Sequence, residues 1–126
     1  MKIKTNSIYA FLREDNIVET HPIPGFKQSE TLEMARENVN ALRKIAGNRR
    51  VGLLNFVSGN YITREAREYY RNKQSFAIAS ALVAKTLPQK MAGNFIISVQ
   101  EPVLPIKAFE CEREAELWLK NQMQNS

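Results

Sequence analysis

The stretch Leu87-Pro88-Gln89-Lys90-Met91-Ala92-Gly93-Asn94-Phe95-Ile96-Ile97-Ser98-Val99 decides the fold. Its end, Phe95 to Val99, has the composition of a β-strand. Taken from Leu87, however, the apolar residues Leu87, Met91, Phe95 and Val99 recur every four positions, with Ala92 and Ile96 beside them. That spacing gathers them on one side of a helix, whereas a strand, with its period of two, would not produce such a stripe. The spacing therefore predicts a helix over 86–98, against the roughly 1 kcal/mol that a glycine such as Gly93 costs inside one.

Upstream, Val51-Gly52-Leu53-Leu54-Asn55-Phe56-Val57 and Phe76-Ala77-Ile78-Ala79-Ser80-Ala81-Leu82-Val83 are nearly continuous apolar runs, too short for free-standing helices and suited to strands covered on both faces. Ser58-Gly59-Asn60 breaks the first run. Thr63 can then cap a helix that has Ile62 before the cap and Ala66, Tyr69, Tyr70 and Lys73 on one side. The crossover between these parallel strands should be right-handed. An earlier helix follows Thr31, with Leu32, Ala35, Val39, Leu42 and Ala46 at three- and four-residue steps and a stop at Gly47-Asn48.

Before that helix, Ser7 to Leu12 and Ile17 to His21 flank the polar Arg13-Glu14-Asp15-Asn16 as a hairpin, ended by Pro22, Pro24 and Gly25. After Pro102 and Pro105, Ile106-Lys107-Ala108-Phe109 is a short strand, and Ala115, Trp118, Leu119 and Met123 mark a last amphipathic helix. The expected order is ββαβαβαβα: one α/β domain over residues 1–126, with its core at about 7–120 and a mixed five-stranded sheet packed by four helices.

The single cysteine, Cys111, excludes an internal disulfide, and with the single histidine, His21, it cannot form a Cys/His zinc cluster. No cofactor or metal is expected. The first residues lack the apolar run of a signal peptide and no stretch of about eighteen apolar residues occurs, which points to a cytoplasmic protein. The formal charge of +5 is uneven. Residues 40–75 carry Arg43, Lys44, Arg49, Arg50, Arg64, Arg67, Arg71 and Lys73 against Glu65 and Glu68, while Glu101, Glu110, Glu112, Glu114 and Glu116 dominate the end of the chain. Such asymmetry favours anionic partners or self-association, or simply solvates helix faces.

Leu53-Leu54-Asn55-Phe56 followed by Ile62-Thr63-Arg64-Glu65-Ala66-Arg67, and the ending from Phe109 through Ala115-Glu116-Leu117-Trp118-Leu119, resemble the STAS and SpoIIAA-like superfamily over about residues 7–120. These are small bacterial α/β domains related in shape to Sec14-type lipid-binding domains, and the ending is similar to that of uncharacterised stand-alone members. Members that antagonise anti-sigma factors carry an Asp-Ser-Ser/Thr-Gly turn whose hydroxyl is phosphorylated. The matching Ile62-Thr63-Arg64-Glu65 lacks the Asp, the paired hydroxyls and the Gly, leaving Thr63 as either a helix cap or a phosphorylation site.

Catalytic constellations are not expected. His21, between Thr20 and Pro22, reads as a turn residue, and Cys111 between Glu110 and Glu112 lacks the electropositive setting of a nucleophile. Ser58-Gly59-Asn60 reads as a turn or an anion-cradling loop, without a Walker lysine. Arg64, Arg67 and Arg71 fall along one helix stripe as a surface for a partner or an anion. Nucleic acid is not expected, because Tyr69 and Tyr70 fall on the side of that helix assigned to the core. Met91, Phe95, Ile96 and Ile97 offer a core face, an apolar ligand cleft or a dimer face. The expected function is a non-enzymatic regulatory or scaffold domain that binds a protein partner or its own copy. The alternative is a carrier of a small lipid-like or amphipathic anion, with the third helix as wall and arginines at the mouth.

Overall fold

A computed structural model describes residues 2–73, 76–98 and 104–126. The elements are β1 (Lys2–Lys4), β2 (Ile8–Leu12), β3 (Ile17–Pro22), α1 (Leu32–Ala46), β4 (Val51–Phe56), α2 (Arg64–Lys73), β5 (Ala77–Val83), α3 (Leu87–Ser98), β6 (Ile106–Phe109) and α4 (Glu112–Gln124). The strands lie in sequence order in one mixed sheet. The pairs β1/β2 and β2/β3 are antiparallel, and β3 through β6 are parallel. Among the described residues the fold is the expected α/β domain with four helices, but the sheet has six strands instead of five. The extra strand, Lys2-Ile3-Lys4, is too short and too polar to announce itself. It becomes a strand by pairing Ile3 with Ala10 of β2, and its lysines blunt the sheet edge against further pairing.

Alternation along the central strands sends successive side chains to opposite faces. Val51 and Leu53 of β4 join Leu42, Ile45 and Ala46 of α1 on one face, and Leu54 joins Ala115 and Leu119 of α4 on the other. Here α4 sits very close to the sheet, since a Cβ on Gly52 would lie 2.7 Å from Met123 Sδ and 2.9 Å from Leu119 Cδ1. The third helix shares the α1 face, where Ala92, Ile96 and Ile97 pack on Val57, Leu82 and Ala84. Val99 lies outside the described residues.

Helix α2 differs from the others in having a single buried residue, Ala66. It packs chiefly on α1, with a smaller contact to α3, through a cluster of Ala35, Ile62 and Ala66 bordered by Tyr69, Tyr70 and Ile96. Space remains between α2 and the sheet, and the candidate site lies there.

Candidate functional site

A cavity of about 120 Å³ lies between the sheet and the α1–α2–α3 layer, toward the carboxyl ends of the parallel strands. Open α/β sheets bind ligands in this region. Its floor is a polar row across three adjacent strands. Thr20 of β3 donates from Oγ1 to Asn55 Oδ1 of β4 at 2.5 Å, and Asn55 Nδ2 donates to Ser80 Oγ of β5 at 2.8 Å. Strand alternation aims all three toward the helices while Leu54 and Ala81 serve the α4 core.

The opposite wall is built around Glu30. Its backbone is clamped to the segment before α2: Glu30 N–H donates to Tyr61 O at 2.8 Å, and Thr63 N–H donates to Glu30 O at 3.0 Å. Tyr70 of α2 donates its hydroxyl to Glu30 Oε1 at 2.7 Å. Asn38 of α1, almost fully buried, has Nδ2 at 2.9 Å from Glu30 Oε1, Ser7 Oγ and Tyr70 OH, and its Oδ1 accepts from Thr5 Oγ1 at 2.6 Å. Burial pushes the Glu30 carboxyl above its ordinary value, opposed by the hydrogen bonds from Tyr70, Asn38 and Ser7. Burial, and then the Glu30 charge, push the Tyr70 hydroxyl well above its ordinary range, so it stays a donor. Phe26, Ile62, Leu82, Ile96 and Ile106 supply apolar lining.

The arginines expected to share one surface occupy three environments along α2. Arg64 is exposed and pairs with Glu68 at 3.2 Å. Arg67 lies over the ring of Phe95 of α3, 5.4 Å from its centroid, with its Nε buried. Arg71 lines the cavity, also with a buried Nε. The stripe thus runs from an exposed Arg64 to the half-buried Arg67 and Arg71.

Thr63 caps α2, accepting at Oγ1 from the Ala66 N–H at 3.3 Å. Ser58 Oγ accepts from the Asn60 N–H at 3.1 Å in a turn beside the cavity. The four apolar residues of α3 divide: Ile96 and Ile97 face the core, while Met91 and Phe95, with Leu87, form an outward stripe that is 52%, 44% and 70% exposed. The four-residue period thus locates the helix, but the stripe it picks out is the solvent side. The buried side is made by Ala92, Gly93, Ile96 and Ile97.

On the far side of the sheet, His21 stacks between Tyr9 (5.0 Å) and Phe56 (4.3 Å) and bonds Glu19 at 2.9 Å, away from the cavity. Cys111 is exposed at the N-cap of α4. Among the described residues no three His, Cys, Asp or Glu side chains converge as a metal site, and no helix is long and apolar enough to cross a membrane.

Sequence reasoning missed Glu30, Asn38, Thr20, Asn55 and Ser80. Only Asn55 and Ser80 left a trace, as polar residues inside otherwise apolar strand runs. A buried strand position carries a polar side chain only when something satisfies it.

Among the described residues, six strands in sequence order, three helices on one face and one on the other define an α/β domain of SpoIIAA-like fold. The chain belongs to a family described as a domain of unknown function, DUF7793, whose model matches residues 12–123. It is similar in structure to an uncharacterised protein of the DUF3478 family with a SpoIIAA-like fold from Shewanella loihica PV-4. The TM-score is 0.57 at 14% identity, covering 93% of this chain and 98% of that one. No curated protein matches the chain.

Proposed function

We propose that this domain works without catalysis, by holding a small molecule in the cavity between the sheet and α1–α2–α3. The supporting observation is the cavity of about 120 Å³ with a polar floor of Thr20, Asn55 and Ser80 facing Glu30 and Tyr70. A polar interior of this kind costs stability unless its groups are paired, and a concave space lined by apolar side chains and a few convergent polar groups is the usual form of a small-ligand site. The ligand is compact instead of lipid-like, since a cavity of about 150 Å³ takes a molecule the size of benzene. Ile96 on one side and Arg71 in the lining retain the apolar wall and the basic group of the carrier reading.

Native mass spectrometry of the freshly purified chain tests the proposal. Extra mass that disappears on denaturation, and that is missing from a folded Ser80→Val variant with a bulkier floor, supports it. The bare chain mass in both proteins sinks it.

A second reading, self-association, is favoured by the outward stripe Leu87, Met91 and Phe95 with Arg67 over Phe95. Apolar side chains on one exposed helix face are the usual material of such contacts. Glu112 and Glu114, exposed in the first turn of α4, offer a second copy negative charge for the basic α2. Sedimentation of wild type against Met91→Glu decides it: a dimer that the variant dissociates supports the reading, and a monomer at high concentration in both overturns it.

A further inference from the structure

The hydrogen-bond polarity of the cavity floor says what kind of molecule it suits. Ser80 is 1% exposed and uses its oxygen to accept from Asn55, so its own hydrogen remains to be donated. Among the described residues no acceptor takes it, and none takes the second hydrogen of Asn55 Nδ2. The row runs in one direction, Thr20 to Asn55 to Ser80, and each bond polarises the next, so the terminal hydroxyl is a strengthened donor. Two donors on the floor are thus available to an occupant, and at the buried Ser80 an unpaired one costs about 1–3 kcal/mol. An apolar occupant would leave that cost in place.

Among the described residues, the charged groups that line the space are one carboxyl, Glu30, and one guanidinium, Arg71. Glu30 is engaged by Tyr70 and Asn38, and Arg71 has a contact of its own, so a charged occupant would come out of water with no spare counter-charge among these two, which is strongly unfavourable in a buried site. The volume of about 120 Å³, below the ~150 Å³ that admits benzene, suits an occupant of about six non-hydrogen atoms.

Resting on the cavity reading above, we infer that the ligand is a compact, uncharged molecule with a carbonyl-type oxygen, which accepts from Ser80 Oγ and Asn55 Nδ2. A small amide has this chemistry and can also donate toward Glu30.

Acetamide, acetate and benzene are the probes, each titrated into the isotope-labelled full chain and followed through backbone amide signals. Acetamide should shift the signals of Asn55, Ser80 and Glu30 in a saturable way. Ser80→Ala, a small change between Ala79 and Ala81, should weaken that binding by up to about tenfold while the remaining spectrum stays native. If Ser80→Ala does not fold, Ser80→Cys, which keeps the volume but is a weaker donor, should weaken binding in the same direction. Saturable binding of acetate or benzene in preference to acetamide, or acetamide binding that is indifferent to the Ser80 variants, overturns the ligand class and leaves the cavity reading standing. No saturable binding of any of the three overturns both.

Discussion

Tyr70 on α2 donates its hydroxyl to Oε1 of Glu30, forty residues earlier in the chain, at 2.7 Å. This bond joins the helix that caps the cavity to the loop that leads into α1, and burial keeps the Glu30 carboxyl above the ordinary glutamate value of 4.5. As pH rises from that value toward Glu30's own raised value, the unfolded chain loses a proton that the folded chain keeps. The Glu30 contribution to stability is therefore fully present below 4.5, falls through that interval and levels off above it. Glu30→Gln cannot ionise. Urea unfolding across pH should show the difference between variant and wild type moving in the variant's favour through that interval, and parallel curves would show that Glu30 ionises as in the unfolded chain.

Removing the donor tests the same bond from the other side. Tyr70→Phe leaves Asn38 as a donor to Glu30 but removes one hydrogen bond from a buried carboxyl, and should cost about 1–2 kcal/mol by denaturant unfolding. A loss within 0.3 kcal/mol, roughly the error of such a measurement, would show that water replaces the hydroxyl without penalty.

On α3, Gly93 faces the sheet with room to spare: a Cβ there would meet Ala84 Cβ and Leu82 Cδ1 at 4.0 Å, ordinary contact distance. Gly93→Ala should stabilise the fold by about 0.5–1 kcal/mol through reduced freedom of the unfolded chain. Thermal unfolding reads this as a higher midpoint, and a lower one would mean that the helix stands closer to the sheet.

The opposite outcome is expected at Gly52, where the added carbon would sit within 3 Å of Met123 and Leu119. Gly52→Ala should destabilise by about 1–3 kcal/mol, the cost of overpacking, less whatever Met123 recovers by bending away. Met123→Ala in the same chain should restore part of the loss.

The facing of α3 has its own check. Met91→Ala, at an exposed position, should change stability by no more than about 0.5 kcal/mol, while Ile96→Ala should cost about 2 kcal/mol, the low end for a core isoleucine because Ile96 is only partly buried. Reversed magnitudes would put the outward stripe in the core.

Local pattern alone determined the alternation of strands and helices in this chain, including the helix at Leu87–Ser98 and the cap at Thr63, because hydrophobic period, capping hydroxyls and glycine stops act over a few residues. The resemblance carried by Leu53-Leu54-Asn55-Phe56 and Ala115-Glu116-Leu117-Trp118-Leu119 added the SpoIIAA-like arrangement. What the tertiary structure alone decided is which side of each element meets which neighbour. A four-residue apolar period fixes a helix but not the side that packs, so the stripe Leu87, Met91, Phe95 turned outward once Ala92, Gly93, Ile96 and Ile97 offered a better fit to Leu82 and Ala84. Lys2–Lys4 became a strand only because β2 offered an open edge. The cavity is the extreme case: Glu30, Asn38, Asn55, Tyr70 and Ser80 come from a loop, two helices and two strands, and their hydrogen bonds span 8 to 40 residues of sequence. No local spacing records such a meeting, because it is set by the register of the sheet and by the seat of α2 on α1.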